Sequence, residues 1–200
     1  DSMSGTFQDL NVPPMLMAFG ITTVDANDVI STDFKEVDNY LYLVKHNHLD
    51  NFNPNIDELK TNFKNVTEYI KNKKIISAYA LGFGGLIEAL AKMSFGNRIG
   101  FDVNVSEESL FDLSYGSILV ESKEELPFGL LIGKTSTNVV INNQKLDIEE
   151  MFEANTLKYE RIYKSHTDLK GNLKPINHEQ KKFSYPFDAH NPIVYVPALV

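Results

Sequence analysis

The segment IISAYALGFGGLIEALAKMSFGNRIG, Ile75 to Gly100, decides the fold. An apolar run opens at Ile75 and is broken at Gly82, Gly84 and Gly85. Leu86, Ile87, Leu90 and Met93 then recur at helical spacing up to Gly96. That order predicts a strand, a glycine turn and a helix. Such a turn aims backbone N–H groups and the positive end of a helix dipole at an anion, an interaction worth about 0.3–1 kcal/mol to a charged group. The same glycines serve equally where a strand reverses sharply and a helix packs closely on the sheet, with no ligand at all.

Upstream, Ile56, Leu59, Phe63, Val66 and Ile70 recur every three or four residues, and Asn55 with Glu58 forms a capping box, so a helix precedes the central unit. Its outer face carries Lys60, Lys64, Glu68 and Lys71. Before it, LYLV (Leu41 to Val44) is a strand and HNHLDNFNP a turn-rich connection. Pro13 and Pro14 force an extended entry into MLMAFGIT (Met15 to Thr22), expected to be a buried strand. Residues 1–12 are polar and mobile in character, and VDANDVISTDFKEVDNY is an acidic loop. Downstream, FDVNV alternates as a half-buried strand and Ser106 caps a short helix, EESLFDL. Strands follow at SILVES, LLIGKT and VVIN, the last turned back by Asn142 and Asn143. A helix from Asp147, capped with Glu150, presents Ile148, Met151, Phe152 and Leu157. From about Tyr163 to Asn191 the chain is polar and linker-like. Strands mixed with helical crossovers predict an α+β domain, a mixed β-sheet layered with helices.

With 200 residues, 42% hydrophobic and 23% charged, the chain has a globular composition. A formal net charge of −8 argues against nucleic acid or an anionic membrane surface as the main partner. The absence of cysteine excludes disulfides, zinc–thiolate sites and a thiol nucleophile within these residues. No apolar run reaches the roughly 18 residues of a membrane helix. A chain opening at Asp1 reads as a piece cut from a longer protein.

Three stretches resemble one family. GGLIEALAKMSFGNRIGFDV is similar to the "DGG, helix, Leu-x-Glu-Met, Gly, Gly-Val-x-Val" segment in C-terminal half-domains of the aminoimidazole ribonucleotide synthetase superfamily. DSMSGTFQDLNVPPMLMAFGI resembles the "KDSMS…PPTLVISAFA" segment of phosphoribosylformylglycinamidine (FGAM) synthases, and NPIVYVPALV resembles the strand that begins their glutaminase domain. Order and spacing agree, and only residues 140–190 match loosely. The resemblance implies the second C-terminal half-domain of such a synthase. Residues 1–12 would then be the tail of the preceding N-terminal-type half-domain, 13–160 a synthetase C-terminal-like domain with a mixed sheet covered by helices, and 161–200 a linker to a glutaminase domain. It further implies a cytoplasmic parent that uses ATP and magnesium to activate the amide oxygen of formylglycinamide ribonucleotide, which ammonia from glutamine then converts to the amidine. Partners would be the remaining domains of the parent and small-molecule substrates. The piece alone is expected to hold no cofactor and to be inactive, glutamine hydrolysis requiring a cysteine nucleophile.

In relatives the turn before the glycine pair resembles His-Asp-x-Ser-Asp-Gly-Gly, whose first aspartate binds magnesium and whose serine holds a nucleotide phosphate. The matching positions are Tyr79, Ala80, Leu81, Gly82, Phe83, Gly84 and Gly85. Magnesium needs hard oxygen ligands, and Ala80 and Phe83 have no side-chain oxygen. A degenerate nucleotide turn at Ala80, Gly82, Phe83, Gly84 and Gly85 is therefore expected. The opening Asp1-Ser2-Met3-Ser4-Gly5 resembles an active-site loop, which assigns Asp1 to metal and Ser2 and Ser4 to substrate phosphate in the parent. In isolation this loop is expected to be disordered.

Other polar groups carry weaker signals. His46 and His48 stand in a polar loop with no third ligand at a recognisable spacing and are expected to be solvated. Asp25, Asp28, Asp33, Glu36 and Asp38 form an acidic, solvent-facing run. Gly133-Lys134-Thr135 lacks the spacing of a phosphate loop. Two alternatives stay open: a selenophosphate synthetase or thiamine-phosphate kinase relative, and a non-catalytic binding or scaffold module of the same superfamily.

Overall fold

The computed structural model describes residues 2–7, 10–160 and 164. Contacts group residues 1–162 as one unit and 163–200 as another; Asp1 and all of the expected linker except 164 lie outside the described residues.

Ser2–Phe7 (β1) pairs antiparallel with Leu10–Leu16 (β2) as a two-stranded ribbon. The expected loop is thus a strand in its described part. The buried strand predicted at Met15 to Thr22 is a correction: β2 ends at Leu16, residues 17–25 have no regular structure, and Leu16, Phe19 and Ile21 are 83, 85 and 94% exposed. An apolar run becomes a buried strand only where a sheet position and a covering layer meet it, and a two-stranded ribbon supplies neither.

The main sheet begins with Tyr40–Val44 (β3), followed by the helix Ile56–Lys71 (α1), Ile75–Ala80 (β4), the helix Gly85–Phe95 (α2) and Gly100–Val103 (β5). A short helix Glu107–Phe111 (α3), Ile118–Ser122 (β6), Leu130–Ser136 (β7), Val139–Ile141 (β8), Gln144–Leu146 (β9) and the helix Ile148–Glu160 (α4) complete it. Strand order is β4-β6-β3-β7-β5-β8-β9, antiparallel except for the parallel pair β5–β8. This is the α+β mixed sheet expected. β9 was not foreseen as a strand, although its turn was: Asn142 and Asn143 take φ of 50° and 67°, the left-handed pair a two-residue hairpin loop requires.

β3 is buried on both faces, which is why LYLV reads as an unbroken apolar run. Leu41 and Leu43 join Leu86, Leu90, Met93 and Phe101 in the larger core, while Tyr42 and Val44 join Val66, Ile75 and Val120 in the other. Alternation along β3 thus splits one run between two cores. α1 covers the second core only partly: Val66 is buried, but Ile56 and Phe63 are half-exposed. Caps were legible. Asn55 accepts from Glu58 N, Ser106 from Ser109 N, and Asp147 Oδ1 from Glu149 N and Glu150 N.

Candidate functional site

β4 delivers the chain to the glycine turn at Ala80, and α2 leaves it at Gly85. Leu81 N–H donates to Ser117 O at 2.9 Å, tying the end of β4 to the residue before β6, and Gly85 N–H donates to Gly82 O at 3.1 Å, closing the turn. Gly85 has φ +69°, and a Cβ there would lie 2.9 Å from Leu110 O and 3.0 Å from Asp112 O. Only glycine combines that backbone with so close an approach of α3. Phe83 is 82% exposed and Ala80 exposed.

The anion-facing end of α2 is already taken. Glu88, one turn into the helix, folds back so that its Oε2 accepts from Gly84 N–H at 2.8 Å, while its Oε1 meets Lys92 Nζ at 2.5 Å. The Lys92 ammonium, and after it the Gly84 N–H, holds the Glu88 carboxyl below the ordinary glutamate range; Lys92 is raised in return. A Cβ on Gly84 would sit 2.6 Å from Glu88 Cβ, so this glycine makes room for the carboxylate. Sequence reasoning passed over Glu88, although its spacing of four residues from both Gly84 and Lys92 signals it. The turn does not fit a magnesium ion: Ala80 and Phe83 offer no oxygen, and the Glu88 carboxylate is engaged by an amide and an ammonium.

Beside the turn lies a cleft of about 280 Å³ whose walls include Leu81, Leu86, Ser106, Ser109 and Asp112. Ser2 and Ser4 lie in β1, which joins β2 and not the main sheet. Nothing in the fold brings them into one sheet with the glycine turn, and Asp1 is outside the described residues.

Two buried polar groups were missed. Glu121, on β6, is 0% exposed and accepts four hydrogen bonds, from Lys35 N, Glu36 N, Asn39 Nδ2 and Ser77 Oγ at 2.6–3.2 Å. It is the anchor of the acidic loop. His46 corrects the expectation of solvation, since it is 1% exposed. Its parity with Val44 and Tyr42, two and four residues back, was the available signal. Asp28 and Glu36 pair with Lys73 and Lys123, Lys134 and Thr135 lie in β7, and the described residues contain no group of three or more histidine, cysteine or acidic side chains placed to hold a metal. Among them no helix is long and apolar enough to cross a membrane.

No family model matches the chain. It is 27% identical over 186 residues to phosphoribosylformylglycinamidine synthase subunit PurL of Picrophilus torridus, covering 76% of this chain and 25% of that protein. Against the same subunit of Thermoplasma volcanium it is 30% identical over 118 residues, covering 51% of this chain and 15% of that one. The chain therefore spans about a quarter or less of the curated relatives it matches. Among solved structures it is similar to T. maritima PurL complexed with ATP, with a TM-score of 0.52, 12% identity and 64% of this chain covered against 28% of that chain. T. maritima PurL complexed with FGAR is matched with a TM-score of 0.52 and 11% identity, over 63% of this chain and 30% of that one. The structural likeness carries the fold. The chain is thus similar to part of the PurL subunit, the family that the sequence stretches resemble.

Proposed function

We propose that this chain serves an FGAM synthase as a C-terminal-type half-domain and that its own glycine turn is structural. The parent would be an ATP- and magnesium-dependent carbon–nitrogen ligase of purine biosynthesis in the cytoplasm. It would take its nitrogen from glutamine through a glutaminase domain or subunit. Homology to PurL supports the ligase reading. The absence of cysteine assigns glutamine hydrolysis to another part of the assembly. The role of Ser2 and Ser4 in holding substrate phosphate, and of Asp1 in holding metal, belongs to the assembled parent.

One observation carries the structural reading of the turn: Glu88 Oε2 sits on Gly84 N–H, where an entering phosphate oxygen would have to bind. A second anion there would meet carboxylate repulsion in place of an open dipole. The 200 residues alone are accordingly expected to bind no Mg-ADP at Gly82 to Gly85 and to convert no FGAR with ammonia as donor. Calorimetric titration with Mg-ADP and an ammonia-dependent turnover assay test both; nucleotide ordered at the turn, or turnover by the purified chain, would overturn the proposal. The same self-capped turn also favours a second reading, a scaffold module of this superfamily that has lost its chemistry. Synthase activity of the assembled parent that carries this chain would speak against a module that has lost its chemistry.

A further inference from the structure

Two exposed aromatic side chains from distant parts of the chain meet on one surface. α3 buries Leu110 and turns the next residue, Phe111, outward at 64% exposure. Beside it the turn Asp50–Phe52 presents Phe52, 80% exposed. Leu49 N–H donates to Asn53 O at 2.8 Å and closes that turn, in which Phe52 holds φ +59°, a left-handed backbone that a bulky residue seldom adopts. With Leu113, the two rings line an open groove of about 570 Å³. Side chains so exposed contribute little to folding, whereas apolar surface gathered into a groove marks a place for a partner.

The other walls of the groove are acidic: Glu107, Glu108 and Asp112. Glu107 and Glu108 stand four and three residues before Phe111, the helical spacing that sets them beside its ring on the outer face of α3. Asp112 meets Lys45 Nζ at 3.6 Å, but among the described residues neither Glu107 nor Glu108 has an ion-pair partner. An apolar floor edged by unneutralised carboxylates selects its occupant by charge. Nucleic acid or an anionic lipid surface would set phosphates against carboxylates. A second copy would bring another chain of net charge −8 and the same acidic edge. A metal ion is excluded too, because no group of three or more histidine, cysteine or acidic side chains among the described residues is placed to hold one.

We propose that this groove docks a cationic, amphipathic segment of a partner protein, its apolar side chains against Phe52, Phe111 and Leu113 and its lysines or arginines against Glu107 and Glu108. The apolar contacts supply affinity at the floor, and the carboxylates at the edge supply orientation and choice of partner. The groove takes no part in the synthase reading and stands or falls independently of it.

The test titrates the 200-residue chain with a synthetic amphipathic helix of leucine and lysine and with its leucine–glutamate counterpart, reading affinity by fluorescence anisotropy and position by NMR. Saturable binding of the lysine peptide is expected, with shifts centred on Phe52, Phe111 and Leu113 and the glutamate peptide at least about tenfold weaker. Phe111→Ser should weaken the lysine peptide about tenfold, as loss of an aromatic anchor does. Glu107→Gln combined with Glu108→Gln should weaken it about fivefold, within the reach of two exposed ion pairs. Glu153→Lys changes the net charge by the same amount at an exposed position of α4 and should leave the affinity within about twofold. All of these positions are exposed, so the variants keep the fold. No saturable binding, equal affinity for the two peptides, shifts centred elsewhere, unchanged affinity in Phe111→Ser, or a loss in Glu153→Lys as large as in the double variant would each overturn the proposal. A dimer of the chain that Phe111→Ser abolishes would give the groove to a second copy and overturn it as well.

Discussion

Glu88 shows how one side chain can convert an anion site into a helix cap. Its carboxylate supplies the acceptor that Gly84 N–H lacks and places negative charge at the positive end of α2, with Lys92 balancing it. Glu88→Ala should therefore cost about 0.5–2 kcal/mol in urea denaturation, the range of a lost cap, with the half-exposed Lys92 pair adding little. The pH dependence has a definite sign. Because the folded state holds the Glu88 carboxyl below its ordinary value of 4.5, its contribution is complete above that value and is lost as pH falls through the lower folded one. The difference in stability between the parent chain and Glu88→Gln should accordingly shrink below about pH 4; a difference that is flat from pH 7 to pH 3 would exclude the ionised cap. Glu121 presents the opposite case, a fully buried carboxylate whose four donors would all lose their acceptor. Glu121→Ala should cost about 3–5 kcal/mol, and urea denaturation would register it as a shifted midpoint or as failure to fold.

At the scale of elements, the strand–turn–helix unit was readable because each part has its own local signal: an apolar run, glycines, then helical periodicity. The three glycines nevertheless differ. Gly85 is locked by φ +69° and by α3 carbonyls, whereas a Cβ on Gly82 would meet nothing closer than Glu88 Oε2 at 3.4 Å. Gly85→Ala should lower stability by about 1–3 kcal/mol and Gly82→Ala by less than about 0.5 kcal/mol; thermal unfolding of the two variants side by side checks the order, and equal losses would contradict the account. Caps at Asn55, Ser106 and Asp147 were legible because they act within four residues of themselves. What escaped was non-local. Glu121 meets partners 44 to 86 residues away, and nothing within its own strand reveals them. The burial of His46 follows from strand parity continuing past the end of β3, a signal that the polar residues around it obscure. Residues 15–22 failed for the complementary reason, since apolar composition was present without a partner strand.

For the molecule as a whole, those residues set a contrast with the larger core of the main sheet. Phe19 and Ile21 stand 85 and 94% exposed in a segment with no regular structure, whereas the core around Leu86, Leu90 and Phe101 is sealed. Side chains already in water contribute almost nothing to folding, and mutations at such positions usually fall within about 0.5 kcal/mol. Apolar surface of this kind instead promotes self-association, which a formal net charge of −8 opposes only in part. The double substitution Phe19→Ser, Ile21→Ser is therefore expected to leave the melting temperature within about 2 °C of the parent chain, judged by the usual scaling of stability to melting temperature. It should also raise the concentration at which light scattering first detects aggregates. A fall of about 5 °C or more would show that these residues are packed in solution. It would mean that the segment occupies a buried place in the fold after all, as its composition alone suggests.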